Sequence, residues 1–458
     1  MARSSKIRAP WPDLPKELIQ KIATCLDTET DVLRLRAVCS SWRSSTTPFK
    51  KLPHTPIKLP FPFDAADGGG TEASRSKHNG GAYFSLTERT VYRVQSPDRR
   101  KPSFWLVKVE SSGDGKLRLL NPLSDHRIKI LPETLMPKVL NTLDFRVSEV
   151  CTAYALHYVN TSNPKRNDEY KYAKKVAVSS GGVENNNFYV VMAIDHRKKL
   201  WYIKSGDRNW TMVQDSYGTY NSFLDVVWYK GQFYGIDVNG GAWVFDSMFT
   251  GTKITYYLHN GASKRHLLDL YDEELYLVEV LTDKDKQICK CYDIDSGCQC
   301  RFPPVKNMVV EIIISKIDKQ KGEWVVENTV NDSIIFAGED CSFCLPSREF
   351  KGCNGTRIFY TDRYFYFQTE KPHLHDDFDY RAYGYYDCNF FECDCCVSSD
   401  DETEKFDDFV PADNVKLKFR GLHGHNTGVW DCESGKMGSL LRFPEYADIF
   451  WPPPSWIR

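Results

Sequence analysis

Cysteines at short spacings are the residues of this sequence best suited to hold a metal ion. Two Cys-x-Cys pairs, one Cys-x-x-Cys and a later group of His and Cys occur at Cys289, Cys291, Cys298, Cys300, Cys341, Cys344, His373, His375, Cys388, Cys393, Cys395 and Cys396. Zinc takes four nitrogen or sulfur ligands in a tetrahedron, and only the segment 373–396 carries that many close together. Because a Cys-x-Cys in a strand places both thiols on one face, it suits packing equally well. Free thiols are the favoured interpretation, and no metal or other cofactor is predicted.

Catalytic motifs are the next possibility, and the sequence offers few. Residues 68–70 are three consecutive glycines, but no Gly-Lys-Ser/Thr follows them and no apolar strand precedes them, as a phosphate-binding loop would require. Neither a Gly-x-Ser-x-Gly nor a His-Glu-x-x-His motif occurs. We therefore expect a protein that is not an enzyme, with an enzyme that uses a charged residue in a channel as the alternative.

Charge is distributed unevenly along the chain although it nearly cancels overall. The 458 residues include 60 Lys and Arg against 61 Asp and Glu, so no nucleic-acid partner is expected. Residues 376–408 contain twelve acidic and two basic side chains, whereas residues 1–51 contain ten basic and five acidic ones. The acidic segment is typical of a solvated loop, and the alternative is a segment that attracts a basic partner electrostatically. No apolar run approaches the ~18–20 residues of a membrane span, so no membrane partner is expected either.

A convincing helical pattern occurs only near the start of the chain. Leucine and isoleucine recur every four positions from Leu14 to Leu26 and form one apolar stripe. Asp13 can cap this helix, and two shorter helices are predicted to follow before Pro48. Modules of this size bury little surface among themselves. The apolar face is therefore expected either to dock on the rest of the chain or to contact another protein.

The first fifty residues resemble the F-box, whose pattern begins Leu-Pro-x-Glu-Leu, continues with spaced Ile and Leu, and ends Val-Cys-x-x-Trp-Arg. DLPKELIQKIATCL and DVLRLRAVCSSWR reproduce this string in order and spacing within residues 10–50. The resemblance implies docking on the Skp-type adaptor of a cullin-based ubiquitin ligase, and through the adaptor on the cullin and the RING subunit. The adaptor-binding residues that it implies are Leu14, Pro15, Leu18, Ile22, Leu26, Leu33, Val38, Cys39 and Trp42.

The rest of the chain is strand-rich. Residues 1–9 are predicted to be disordered, and residues 51–81, rich in Pro, Gly and Ser, to be a linker. From residue 82 to residue 458, short β-branched and aromatic runs alternate with turn residues, and hairpin-like units of roughly 40–50 residues recur in degenerate form. These features predict an all-β propeller of six to eight blades, with seven preferred, and an acidic Cys-containing insertion at about 372–415. The aromatic content of 14% agrees, because large rings fill the gaps between stacked blades.

Several motifs of the body resemble one family. NPLSDHRIKILP at 121–132, GTRIFYTDR at 355–363, GVWDCESGK at 428–436 and the final WPPPSWIR look like plant F-box proteins that carry a KIB-type β-propeller. Kelch or WD repeats would require a series of Gly-Gly or Trp-Asp pairs, which this sequence lacks. The resemblance spans nearly the whole chain and implies a multidomain fold, with a small all-α F-box of three short helices followed by the all-β propeller.

These features predict the substrate-recognition subunit of a Skp–cullin–F-box ubiquitin ligase, in which the F-box binds the adaptor and the propeller binds a target protein. The alternative is an F-box and propeller protein that acts outside a ligase as a regulator of transcription or of another enzyme. The expected location is the nucleus, the cytoplasm or both. No residue of the propeller is assigned to target binding, because rim loops vary freely on a common scaffold.

Overall fold

The computed structural model describes residues 14–24, 26, 29–46, 56–61, 82–96, 104–111, 117–125, 145–161, 172–179, 188–255, 262, 264–270, 274–282, 309–327, 330, 333–350, 355–361, 427–440, 443, 446 and 449–450. Three short helices come first, which confirms the predicted helical module: α1 (Lys16–Thr24), α2 (Glu29–Ala37) and α3 (Ser40–Ser45). Within these ranges no helix has the length and apolar character needed to cross a membrane.

The three helices enclose a small core of their own. Ile19, Leu35 and Trp42, one from each helix, are buried together. Cys39 precedes α3, and its Sγ accepts a hydrogen bond from the backbone N–H of Trp42 at 3.5 Å. Arg36 Nη1 donates to the carbonyl of Arg43, and Arg43 Nε donates to the carbonyl of Arg36, both at 3.2 Å. These bonds tie α2 to α3.

The strands form five sheets, called blades 1 to 5 in chain order. Blade 1 contains β1 (Ile57–Pro60), β2 (Ala82–Gln95), β3 (Phe104–Ser111), β4 (Leu117–Leu120) and β5 (Arg146–Asn160). Blade 2 contains β6 (Ala173–Val178), β7 (Val190–Asp195), β8 (Leu200–Lys204) and β9 (Thr211–Met212), and blade 3 contains β10 (Phe223–Tyr229), β11 (Gln232–Asp237), β12 (Ala242–Phe245) and β13 (Gly251–Lys253). Blade 4 contains β14 (Lys264–Asp269), β15 (Leu275–Thr282), β16 (Val309–Asp318) and β17 (Glu323–Val326), and blade 5 contains β18 (Ser333–Ala337), β19 (Ser342–Pro346), β20 (Arg357–Thr361), β21 (Thr427–Asp431) and β22 (Met437–Ser439).

Blades 2, 3 and 4 are antiparallel meanders, whereas the first and last blades are modified. In blade 5 the order is β19-β18-β20-β21-β22, and β18 runs parallel to β20. In blade 1 the long strand β2 pairs with β5 along one edge, and with β1 and then β3 along the other. Strand β1 lies within the segment predicted to be a linker. It follows the helices along the chain and pairs with β2, so it is the first strand of blade 1.

The cores of the propeller lie between neighbouring blades, because alternate residues of each strand face opposite ways. In β18, Ile334 and Phe336 pack against blade 1, whereas Ile335 and Ala337 pack against blade 4. Separate apolar clusters likewise join blade 1 to blade 2, blade 2 to blade 3, and blade 3 to blade 4. Each blade is thus covered on both faces, and the five blades close into a ring.

The predicted number of six to eight blades is wrong for the described residues, which form five. The estimate assumed a uniform length of chain for every blade. In fact β15 ends at Thr282 and β16 begins at Val309, while β20 ends at Thr361 and β21 begins at Thr427. Because such long segments separate strands of the same sheet, one blade takes up more of the chain than a compact meander requires.

Two blades share a hairpin built on an aspartate and a tryptophan. Between β11 and β12, Asp237 Oδ1 accepts hydrogen bonds from the backbone N–H groups of Asn239 and Gly241, both at 2.8 Å, and its Oδ2 accepts from Trp243 Nε1 at 2.8 Å. A Cβ at Gly241 would lie 2.7 Å from this Oδ2, so the turn requires glycine there. The carboxylate therefore fixes the turn and also orients a large ring in the core between blades 2 and 3.

The same arrangement recurs one blade earlier. Asp195 Oδ1 accepts from the N–H of Lys199 at 2.8 Å, and its Oδ2 accepts from Trp201 Nε1 at 3.0 Å. The corresponding sequences, IDHRKKLW at 194–201 and IDVNGGAW at 236–243, share Ile-Asp-x5-Trp. Sequence reasoning missed this Ile-Asp-x5-Trp repeat, although its spacing is visible in the sequence.

We expect Asp237→Ala to lower the free energy of unfolding by about 3–5 kcal/mol, because it leaves buried donors and the Lys253 ammonium, 2.9 Å from Asp237 Oδ2, without their acceptor. Asp246 is a matched control, since it accepts from two backbone N–H groups in the next turn of blade 3 but is exposed. Asp246→Ala should cost about 1 kcal/mol. Urea unfolding of both variants measures the difference, and equal losses would contradict the proposed role of the buried carboxylate.

Candidate functional site

Exposed apolar side chains are concentrated on the helical module. Among the described residues eleven large apolar side chains are exposed, and four of them lie between residues 18 and 38. Leu18 and Ile22 lie one turn apart on α1, and therefore on the same face of that helix. Leu33 of α2 and Val38 just after it are 57% and 55% exposed. These four residues are called the helical apolar face below.

The nine residues predicted to bind an adaptor divide by their burial. Pro15, Leu18, Ile22, Leu33 and Val38 are exposed; Leu14, Leu26 and Cys39 are half-buried against the core; Trp42 is buried. The exposed members are available for direct contact, whereas the indole of Trp42 packs against Ile19 and Leu35. Because Trp42 lies in the core of the module, it supports the exposed apolar side chains and does not itself lie at the surface. The other buried apolar residues of the module are Ile19, Val32 and Leu35. They were not singled out as core, although they alternate with the exposed apolar positions at helical spacing.

A side chain of the helical module reaches blade 1. Arg34 Nη2 donates a hydrogen bond to the carbonyl of Val147 in β5 at 2.5 Å, and Arg34 Nη1 lies 3.0 Å from Asp31 Oδ1. Arg34 lies next to Leu33, a member of the helical apolar face, on α2. A hydrogen bond from an exposed side chain thus links the module to the propeller, while the apolar side chains of the module remain exposed.

The propeller axis is the second place where chemistry could reside, because buried charges meet there. Lys175 of β6 lies 2.9 Å from Asp225 Oδ1 of β10, and Asp225 Oδ2 accepts from the N–H of Leu267 in β14 at 2.8 Å. One carboxylate thus connects blades 2, 3 and 4. Burial opposes the charge on Lys175, but Asp225 raises its pKa above the ordinary value. Burial and the nearby charges of Lys175 and Lys264 lower the pKa of His266 to about 3, so this imidazole is neutral.

A second network joins blade 5 to blade 1. Asp340, in the turn between β18 and β19, lies 2.5 Å from Lys108 Nζ and 3.1 Å from Arg89 Nη1. Arg89 Nε in turn lies 2.6 Å from Glu110 Oε2, and His157 Nε2 lies 3.0 Å from the same oxygen. Burial works against the charge on Glu110, but the hydrogen bonds and charges of His157 and Arg89 hold its pKa well below the ordinary value.

The pairing of these groups favours a scaffolding role. In the described part of the chain, the buried carboxylates of Glu110, Asp225, Asp237, Glu279 and Asp340 each contact a cation of Arg or Lys. Three or more His, Cys, Asp or Glu side chains do not converge on a metal site within those ranges, and Cys39, Cys151, Cys341, Cys344 and Cys432 are free thiols. The His and Cys cluster at 373–396 and the acidic segment at 376–408 lie outside the described residues.

The position of Glu110 predicts a dependence of stability on pH. Its pKa is lowered in the folded protein, so its contribution is complete above the unfolded-state value of about 4.3 and is lost as pH falls below it. The difference in unfolding free energy between the wild type and Glu110→Gln should therefore shrink between pH 7 and pH 3. Glu323→Gln, at an exposed position of β17, is the control and should give no such change. A difference that is constant with pH would contradict the ion pairing of Glu110.

Comparison with known proteins agrees with both parts of the fold. The family model described as KIB1-4 beta-propeller matches residues 83–387, which is 305 of 458 residues, and the family model described as F-box-like matches residues 11–48. The first match begins in β2 and includes all strands through β20. The second contains the three helices and the helical apolar face.

Three similar proteins come from Arabidopsis thaliana. F-box protein SKIP23 is 27% identical over 457 residues, covering 98% of this chain and 95% of that protein. F-box protein At2g17036 is 26% identical, covering 98% of this chain and 94% of that protein, and Putative F-box protein At5g60060 is 26% identical, covering 79% and 90%. The similarity therefore extends over helices and blades together. With two thirds of its length matched by one family and the resemblance seen in the sequence confirmed, the chain belongs to the KIB1-4 beta-propeller family and carries an F-box-like module at its N-terminus.

Proposed function

We propose that this protein is the substrate-recognition subunit of a Skp–cullin–F-box ubiquitin ligase. The helical apolar face docks on a Skp-type adaptor, the adaptor brings the cullin and the RING subunit, and the propeller binds the target protein. The observation that carries the proposal is the exposure of Leu18, Ile22, Leu33 and Val38 on a module whose own core is complete beneath them. In a stable complex such side chains would be covered by an apolar partner surface.

In this proposal the protein forms and breaks no bonds itself. It holds a target near the ubiquitin-loaded enzyme, so that transfer becomes effectively intramolecular. The buried carboxylates named above support this, because each of them is paired with a Lys or Arg cation within the described part of the chain. We place the protein in the nucleus, the cytoplasm or both, where a cullin-based ligase would meet its targets.

The double variant Leu18→Asp/Leu33→Asp tests the docking. Both side chains are exposed, so the module should fold, while two buried charges in the interface should weaken adaptor binding by at least about 100-fold. Gln20→Asp/Ser41→Asp introduces the same two charges at exposed residues outside the helical apolar face and is the matched control, expected to bind within about threefold of the wild type. Affinity is measured by isothermal titration of the purified full chain with a purified Skp-type adaptor.

Two outcomes would contradict the proposal. If the Asp double variant binds the adaptor as tightly as the wild type, the helical apolar face is not the docking surface. If the wild type binds the adaptor but a cullin and RING subunit never join the complex in a reconstitution, the protein acts outside a ligase.

A further inference from the structure

A second concentration of exposed apolar side chains lies on the propeller, between blades 2 and 3. The segment 214–222, which connects β9 to β10, presents Tyr217 with 89% and Tyr220 with 49% of its surface exposed. Met248, in the turn between β12 and β13, is 72% exposed. We call Tyr217, Tyr220, Met248 and the turn 196–199 the tyrosine patch. Exposed aromatic side chains grouped in this way are typical of surfaces that bind another protein.

The segment that carries the tyrosines is held rigidly by one carboxylate. Asp215 Oδ1 accepts from the N–H groups of Tyr217 at 2.9 Å and Thr219 at 2.7 Å, while Oδ2 accepts from Asn221 Nδ2 at 3.2 Å and from the hydroxyl of Thr219. The backbone N–H of Asp215 also donates to the carbonyl of Thr219 at 3.0 Å. Tyr217 is therefore presented on a preorganised turn, which reduces the entropy lost when it is covered by a partner.

Both ends of the segment are attached to the neighbouring blades. On one side Lys199 Nζ donates to the carbonyl of Tyr220 at 3.1 Å, and the N–H of Phe223 donates to the carbonyl of Lys198 at 2.7 Å. On the other side the N–H of Gly251 donates to the carbonyl of Gln214 at 3.0 Å. These bonds make the segments 196–199, 214–222 and 248–251 neighbours, and we call the surface that they form a strip.

The strip carries charges of both signs, and its basic residues lie at one end. The turn 196–199 reads His-Arg-Lys-Lys, and Lys198 is exposed. Asp215 and Asp246, in the turns of Tyr217 and Met248, direct their carboxylates at backbone N–H groups of their own turns. The basic end is therefore the part of the strip that suits the carboxylates of a partner.

Lys198 also occupies an unusual backbone position. Its φ is +66°, and the equivalent residue of the matching turn in blade 3 is Gly240, with φ +85°. A left-handed backbone is unfavourable for a side chain such as lysine and costs glycine nothing. Lys230 and Phe249 also have a positive φ, so this conformation is not particular to Lys198; its consequence here is that glycine can replace Lys198 without straining the turn.

We propose that the tyrosine patch binds an acidic, extended segment of a target protein, with apolar side chains of that segment packed against Tyr217 and Met248. The exposed Lys198 would pair with its carboxylates. This inference rests on the proposed role of the propeller in target recognition and assigns that role to one surface. Lys198 sets the preference for acidic partners, and the rigid tyrosine turn supplies the apolar contact.

The test uses a fluorescent copolymer of glutamate and tyrosine as the acidic probe, titrated with the purified full chain at low and physiological salt. We expect binding that weakens with salt, is reduced at least tenfold by Lys198→Gly, and is reduced further by Lys198→Gly/Tyr217→Ala. Glycine accepts the backbone of residue 198 without strain, so Lys198→Gly should unfold at no lower urea concentration than the wild type. Leu117→Ala/Lys321→Glu changes exposed residues of blades 1 and 4 and should bind within twofold of the wild type.

Three results would overturn the inference: no binding of the copolymer by the wild type, equal binding by the Lys198→Gly and wild-type chains, or tighter binding of a single-stranded oligothymidylate at the same patch. Adaptor binding by the same samples separates this inference from the proposed function. A tyrosine-patch variant that binds the adaptor normally, and a Leu18→Asp/Leu33→Asp variant that binds the copolymer normally, would show that the two surfaces act independently.

Discussion

Asp340 lies at the junction on which the ring of blades depends. All described strands of blade 1 come from residues 57–160, and all those of blade 5 come from residues 333–439, so these two blades share no strand. Non-covalent contacts must then hold the first blade to the last, and one of them is a backbone hydrogen bond from the N–H of Glu339 to the carbonyl of Leu123 at 2.8 Å. Asp340 accepts from Lys108 and Arg89 of blade 1 at once, and Trp105 Nε1 donates to the carbonyl of Phe450 at 2.7 Å across the same junction.

An ionic closure is useful here for reasons other than net stability. Burying charges costs free energy that pairing often only offsets, so apolar packing remains the main source of stability at this junction. Phe104 of blade 1 meets Phe350, which lies between β19 and β20 of blade 5, edge to face with ring centroids 4.9 Å apart, and both belong to the apolar cluster that joins the two blades. What the carboxylate adds is register, because its two oxygens accept from Lys108 and Arg89 in only one alignment of blades 1 and 5. The apolar contacts alone are more tolerant of sliding.

The sequence predicted the helices and the strand-rich body well, and the number of blades badly. The helices follow from Leu and Ile at helical spacing, and the strand-rich body follows from short aromatic runs. Blade number depends on how much chain lies between strands of one sheet, and no local pattern records that length.

The adaptor-binding set was predicted by motif, but helical spacing alone does not say which side chains of a three-helix module face inward, and Trp42 proved to be core. The tyrosine patch could not be predicted, because the segments 196–199, 214–222 and 248–251 become neighbours only through tertiary hydrogen bonds.

Strand β1 has a mechanical consequence for the proposed ligase. It begins at Ile57, and α3 ends at Ser45, so only eleven residues, 46–56, lie between the helices and the first hydrogen-bonded strand of the propeller. Fully extended, they could span at most about 40 Å. Together with the bond from Arg34 to Val147, this limits how far a bound target could swing relative to the catalytic subunits. A receptor with such short reach would select acceptor lysines by where they lie on the target surface, and lysines on the far side of the target would stay unmodified however tightly it is held.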